Sequence, residues 1–143
     1  MAVFNYGPPG VSYTPAYQVS GYPWITGSAT IGAEVEHKIN FPYVTKNFTV
    51  IVSSSAANSG RIRVTFDSTG STTSVINGMH YVELDGDEES YTFNVRCKEV
   101  YLSTPATAGQ QGATVGYTVY AELTNIPSEN CKTMSGSGIN IQD

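Results

Sequence analysis

Alternation of apolar and polar residues with a period of two is the feature that most constrains the fold of this chain. It is clearest in residues 79–103, where two alternating runs flank the acidic sequence DGDEE. Successive side chains of a strand point to opposite faces, so this period predicts strands that bury one face. Because the acidic residues supply turn chemistry and no apolar anchor, we predict that the two runs form a β-hairpin.

The same alternation recurs along most of the chain. Further runs lie at 35–41, 48–52, 62–66, 99–103 and 115–123, separated by loops rich in Gly, Ser, Thr, Asn and Pro. No window has the i, i+3, i+4, i+7 spacing of apolar residues over the length of a helix. About eight strands with turn signals at short intervals predict an all-β fold. We expect a single β-sandwich with essentially no helix, and the jelly roll is among the topologies open to it.

The 143 residues fit one domain, and composition divides it into three parts. Residues 1–27, with four prolines and several aromatic residues, are predicted to form an extended N-terminal arm. Residues 28–127 are predicted to form the β-sandwich domain, and residues 128–143 are predicted to form a flexible C-terminal tail. The arm either packs on its own domain or docks on a neighbouring subunit or larger partner, because exposed aromatic rings need a surface. The candidate partner-binding residues are its aromatic side chains, Tyr6, Tyr13, Tyr17, Tyr22 and Trp24.

Charge and targeting signals limit the classes of partner. The net charge of −5 argues against nucleic acid, whose binding depends on neutralising phosphates. No run has the length of a transmembrane helix, so no membrane partner is expected. The N-terminal sequence MAVFNYGPPG lacks the basic and apolar regions of a secretory signal, which predicts synthesis in a cytoplasm without export. Cys97 and Cys131 are therefore expected to be reduced thiols, and a disulfide between them is the less favoured alternative.

Motifs for catalysis, cofactors and metals are missing from the sequence. The acidic cluster at 85–89 does not have EF-hand spacing, and we interpret it as a solvated turn. His37 and His80 have no second ligand at zinc-site spacing, and we interpret them as packed or interfacial side chains. There is no nucleophile elbow, phosphate-binding glycine loop or His-Glu-x-x-His motif. We expect a non-enzymatic protein with no catalytic residues, no cofactor and no metal site.

The Pro/Tyr-rich arm stands beside the stretches GYPWITGS, NFTVIVSS, RIRVTF and MHYVELDGDEESYTFNVRCKEVYLS. In these features the chain resembles the capsid decoration proteins of tailed bacteriophages, also called head auxiliary or cement proteins. The resemblance implies a β-rich homo-oligomer, often a trimer, that sits on the outer capsid surface and stabilises the shell. The implied partners are the major capsid protein or other virion subunits, and the implied location is the virion, after assembly in the host cytoplasm.

Two other functions remain open. The chain is also compatible with another virion component, such as a tail, fibre or vertex protein. The second alternative is a carbohydrate-binding adhesin module, in which Trp24 and the tyrosines would form a platform for sugar rings. Ten tyrosines against one tryptophan favour protein–protein contacts over this alternative, since tyrosine is enriched at protein interfaces.

Overall fold

The computed structural model describes residues 10–11, 14–29, 31, 36–54, 60–68, 81–85, 89–104, 115–135 and 140–142. The elements in chain order are α1 (Thr14–Gln18), β1 (Tyr22–Ser28), β2 (Glu36–Asn40), β3 (Tyr43–Ser54), β4 (Arg61–Thr65), β5 (Val82–Asp85), β6 (Ser90–Phe93), β7 (Glu99–Ser103), β8 (Val115–Pro127), a 3₁₀ turn (Ser128–Asn130), β9 (Thr133–Ser135) and β10 (Asn140–Gln142). The predominance of strands and the short length of α1 confirm the predicted all-β class.

Eight of the strands form two four-stranded sheets. The first sheet has the strand order β1-β8-β3-β6, and the second sheet has the order β2-β7-β4-β5. Every neighbouring pair in both sheets is antiparallel. Strands β9 and β10 pair with each other in a separate two-stranded sheet. This arrangement confirms the predicted sandwich.

The main core consists of the apolar positions of the alternating runs. Phe48, Val50 and Val52 of β3 are fully buried, as are Val100 and Leu102 of β7 in the second sheet. Fully burying a side chain of this size contributes about 2 kcal/mol relative to leaving it exposed. The period of two therefore places one face of each sheet in a shared core.

A smaller cluster anchors α1 beside the sandwich. Ala16 of α1 packs with Val44, Ile126 and Cys131, all of which are buried. Tyr17 packs against this cluster, and its hydroxyl donates a hydrogen bond to the carbonyl oxygen of Val11 at 2.6 Å. The described part of the N-terminal segment is thus attached to its own domain.

The predicted hairpin within residues 79–103 is wrong. Strand β5 pairs with β4 in the second sheet, whereas β6 pairs with β3 in the first. Leu84 and Phe93 are both buried, but they enter the core from opposite sheets. The alternation in each run shows which side chains share its apolar face. It does not show which other strand is hydrogen-bonded to that run. The acidic sequence between the runs therefore connects two sheets.

The structure also differs from the boundary drawn at residue 27. All seven residues of β1 pair with β8, so Tyr22–Ser28 form an edge strand of the first sheet. Pro23 is compatible with this position, because an edge strand needs backbone donors along one side only. In the predicted tail, β9 and β10 form a paired hairpin.

Candidate partner-binding surface

The five predicted partner-binding residues have different environments. Tyr6 and Tyr13 lie outside the described residues. The ring of Tyr17 packs on the α1 cluster and receives the guanidinium of Arg96 at 5.7 Å from its centroid. Burial raises the pKa of the Tyr17 hydroxyl, although Arg96 acts in the opposite direction. Trp24 is half-buried against the main core, and Tyr22, with 67% of its surface exposed, is the most accessible of the described three.

Exposed apolar side chains concentrate on one side of the sandwich. Among the described residues, seven large apolar side chains are exposed, namely Val19, Tyr22, Ile25, Tyr43, Ile51, Val82 and Tyr91. Five of them belong to strands of the first sheet, and Val19 lies between α1 and β1. Only Val82 belongs to the second sheet. The first-sheet side is therefore the more apolar of the two.

The outer face of the first sheet contains two neighbouring rows of uncharged side chains. The strand registers align Ile25, Tyr120, Thr49 and Thr92 in one row across all four strands. The hydroxyls of Thr49 and Thr92 are hydrogen-bonded at 2.8 Å. The next row contains Ile51 of β3 between small residues of the neighbouring strands. Such a face can be covered by a partner with little loss of charge solvation.

The charged residues on the four strands of the first sheet are Lys46 and Glu122. The ammonium of Lys46 donates a hydrogen bond to the carbonyl oxygen of Val19 at 2.8 Å. The carboxylate of Glu122 accepts a hydrogen bond from the side-chain amide of Asn47 at 3.1 Å. Both charges are thus held by neighbouring groups of the same chain.

The outer face of the second sheet has the opposite character. Lys38 of β2 pairs with Glu99 of β7 at 3.0 Å. Glu83 of β5 receives Arg61 at 2.8 Å and Arg63 at 2.9 Å. Although desolvation raises the pKa of Glu83, the hydrogen bonds from these two arginines outweigh it and the pKa is lowered. This face is an ion-paired, solvated surface.

Two adjoining shallow grooves lie at the start of β1. One, of about 260 Å³, is lined by Pro15, Val19, Tyr22 and Asn125 together with small residues of the same segment. The other, of about 340 Å³, lies between Tyr22 and Tyr43 and also reaches Asn125. Because Tyr22 and Asn125 line both grooves, the two grooves form one continuous concave surface. This surface contains the phenol rings of Tyr22 and Tyr43 and the side-chain amide of Asn125.

The candidate metal-binding residues of the sequence are not brought together among the described residues. Within those ranges, no cluster of three or more His, Cys, Asp or Glu residues is placed to hold a metal ion. The Nδ1 atom of His37 lies 2.8 Å from the hydroxyl of Tyr117, so this histidine is engaged inside the sandwich. In the acidic cluster, the backbone N–H of Asp85 donates to the carboxylate of Glu89 at 2.6 Å. His80 and the middle of the cluster lie outside the described residues.

Both cysteines are free and buried, as expected for reduced thiols. Burial raises the pKa of the Cys97 thiol to about 12, against a smaller opposite effect of its hydrogen bond with the Thr45 hydroxyl. Burial also raises the pKa of Cys131. Neither thiol has the lowered pKa of a reactive cysteine.

Sequence reasoning did not single out Ile25, Tyr43 or Ile51 as surface residues. The signal that could have found this side is the absence of charge from residues 22–28 and 90–93, which flank the first sheet. Single apolar residues in an alternating run do not indicate which face of a sheet is exposed.

No protein-family model matches this chain, and no curated protein matches it.

In the part of the chain that the structure describes, no helix has both the length and the apolar character needed to cross a membrane.

Proposed function

We propose that this chain is a non-enzymatic structural protein of a virion, a capsid decoration protein that binds the outer capsid surface. Its first-sheet side and its N-terminal residues form the binding surface. The observation that carries the proposal is the contrast between the two sheets: six of the seven large apolar side chains that are exposed among the described residues lie on or beside the first sheet, whereas the outer face of the second sheet is ion-paired. Covering apolar surface is favourable at about 25 cal/mol per Å², whereas covering ion pairs requires costly desolvation.

The strand pairing supports the proposal. Strand β1 pairs with β8, β2 with β7, β3 with β6 and β4 with β5. A long hairpin rolled into two sheets makes these four pairs, and we propose that the sandwich is a jelly roll, a fold found in viral capsid and lectin domains. Since one fold hosts unrelated functions, the surface carries the argument and the topology supports it.

Repetition on a lattice would strengthen modest contacts. A homo-oligomer, or a subunit held by two neighbouring contacts, makes its second contact at a high effective concentration, so overall retention exceeds that of either contact alone. The six exposed apolar side chains on or beside the first sheet suit many weak contacts of this kind. The ion-paired second sheet would then face solvent.

The groove at the start of β1 favours the carbohydrate-binding alternative. It presents the exposed rings of Tyr22 and Tyr43 beside the amide of Asn125, and aromatic rings with nearby polar groups can hold sugar rings. Trp24, the first candidate for a stacking platform, packs edge-on against Phe41 and is half-buried. On a glycan array, binding that is lost in Tyr22→Ala and Tyr43→Ala would favour this alternative.

A deletion that respects the fold tests the capsid proposal. Removing residues 1–9 leaves α1 and β1 intact, whereas removing residues 1–24 would delete Trp24 and confuse lost binding with unfolding. The probe is capsid shells assembled without this chain, sedimented with the full-length or the shortened protein. We expect the full-length protein in the pellet, and the shortened protein in the supernatant with an unchanged thermal unfolding curve.

Failure of the full-length chain to sediment with the shells would overturn the proposal. Equal sedimentation of both forms would restrict the binding surface to the first-sheet side. Sedimentation with isolated tails or fibres, and not with shells, would favour another virion component.

A further inference from the structure

The four edge strands of the two sheets differ in charge. In the second sheet, β2 carries Glu36 and Lys38, and β5 carries Glu83 and Asp85. In the first sheet, the edge strands β1 (YPWITGS) and β6 (SYTF) carry no charged residue. Charged side chains are a common protection of edge strands against pairing with another chain. The second sheet has this protection at both edges, and the first sheet has it at neither.

Strand β1 is the better suited of the two uncharged edges. Its seven residues pair with β8 without a register shift, so no bulge twists the strand away from a partner. None of the described residues pairs with its other side. Pro23 lacks a backbone donor on the unpaired side, but it lies next to the end of the strand. Because alternate residues direct their N–H groups to the same side of a strand, Ile25 and Gly27 supply donors at this edge. A strand of this length offers an edge of about 23 Å.

We propose that β1 pairs antiparallel with β1 of a second copy of this chain. The contact is isologous, because the same strand serves both copies about a two-fold axis. It joins two first sheets into one continuous sheet. The register that pairs all seven residues puts Ile25 on the axis, opposite its own counterpart, and Trp24 opposite Thr26.

A second copy can occupy this edge without setting like charges against each other in the contact. Two copies with a net charge of −5 each repel one another, and the contact lies where neither contributes a charged side chain. Ile25, with 66% of its surface exposed, loses contact with water against an identical side chain. Strand β6 is shorter and begins next to Glu89, whose carboxylate is exposed. Like charges would meet there in a symmetric contact.

This inference rests on the proposed function in that both use the first-sheet side of a multi-subunit protein. The isolated chain tests it without any capsid, so the two can fail separately. The two-fold contact also differs from the trimer that the family resemblance implies.

The first test is the mass of the isolated full-length protein in solution, measured by light scattering over a series of concentrations. We expect twice the chain mass, and a fall to the single-chain mass in Ile25→Lys, which sets two like charges opposite each other. The matched control is Ile51→Lys, on an inner strand of the same face with 40% of its surface exposed, which should keep the doubled mass.

The second test is a cross-link at the axis. Directly opposed residues of antiparallel strands have Cα atoms about 4.5–5.5 Å apart, within the range that a disulfide bridges. We expect Ile25→Cys to form a covalent dimer under mild oxidation and Ile51→Cys to form none. Cys97 and Cys131 are buried and should not take part.

Three outcomes would overturn the inference. The first is a single-chain mass for the unmodified protein at every concentration, which is also expected if an extended strand of a different protein occupies β1. The second is a three-chain mass. The third is a doubled mass for the Ile25→Lys variant, or a doubled mass for the unmodified protein together with no cross-link in the Ile25→Cys variant. In either case the contact between the two copies would not be at β1.

Discussion

The ring of Trp24 lies edge-on against the ring of Phe41, with centroids 5.3 Å apart and an interplanar angle of 70°. Phe41 is buried and lies between β2 and β3, whereas Trp24 belongs to the edge strand β1. This contact ties the edge of the candidate binding surface to the core, so the surface has a rigid support.

The first prediction concerns this contact. Trp24→Ala should lower the free energy of unfolding by about 2–3 kcal/mol, somewhat less than removing a fully buried aromatic ring. Tyr22→Ala is the control, because Tyr22 is exposed and its loss should change stability by about 0.5 kcal/mol or less. Urea unfolding measures both. Equal stability of the two variants would show that β1 is not held by the core.

The second prediction concerns the hydroxyl of Thr45. This buried oxygen donates to the carbonyl oxygen of Val95 at 2.8 Å and accepts from the N–H of Cys97 at 3.1 Å, holding the segment before β7. Thr45→Val should cost about 1–3 kcal/mol, because it leaves buried backbone groups without a partner. The surface hydroxyl of Thr49 bonds only to Thr92 among the described groups, so Thr49→Val should cost less. The same loss in both variants would contradict this role.

The third prediction concerns Glu83 and pH. Arg61 and Arg63 hold the pKa of the folded carboxyl below its unfolded value, despite partial burial. The stabilisation is therefore present above the unfolded pKa and lost as the pH falls through the folded pKa. Glu83→Gln should lower stability at neutral pH by about 1 kcal/mol or less and by nearly nothing in strong acid. Denaturant unfolding across acid and neutral pH measures this difference, and an equal loss at both extremes would contradict it.

The fourth prediction concerns the thiols. Since the pKa of Cys97 is about 12 and that of Cys131 is also raised, neither should react appreciably with a thiol reagent in the folded protein near neutral pH. Both should react after unfolding in urea. Ile51→Cys, at a position with 40% of its surface exposed, provides an accessible thiol as a positive control. Rapid reaction of two thiols in the unmodified folded protein would show that these side chains are accessible.

The sequence predicted which residues are buried better than it predicted which strands pair. The alternation of Ile62 and Val64 in β4 corresponds to a buried face, because side-chain direction is a local property of a strand. Leu84 and Phe93 belong to the two alternating runs within residues 79–103 and are both buried, yet their strands belong to different sheets. Pairing depends on contacts between residues far apart in the chain, which alternation does not encode.

The N-terminal segment shows a second limit. Four prolines suggested an extended arm through residue 27, but the packing of Trp24 and the pairing with β8 place β1 in the first sheet. Local conformational preference was outweighed by tertiary contacts. The candidate surface was hidden for a similar reason, since Ile25 and Ile51 become neighbours of one face only through the strand order β1-β8-β3-β6.

The central claim is that the more apolar first-sheet side, and not the ion-paired outer face of the second sheet, contacts neighbouring subunits. Ile51 is exposed on the outer face of the first sheet, and Lys38 is exposed beside Glu99 on the outer face of the second. The most direct measurement is sedimentation of Ile51→Lys and Lys38→Glu with capsid shells that lack this chain. We predict that Ile51→Lys stays in the supernatant and that Lys38→Glu sediments like the unmodified protein. Equal sedimentation of the two variants, or selective loss of Lys38→Glu, would contradict the claim.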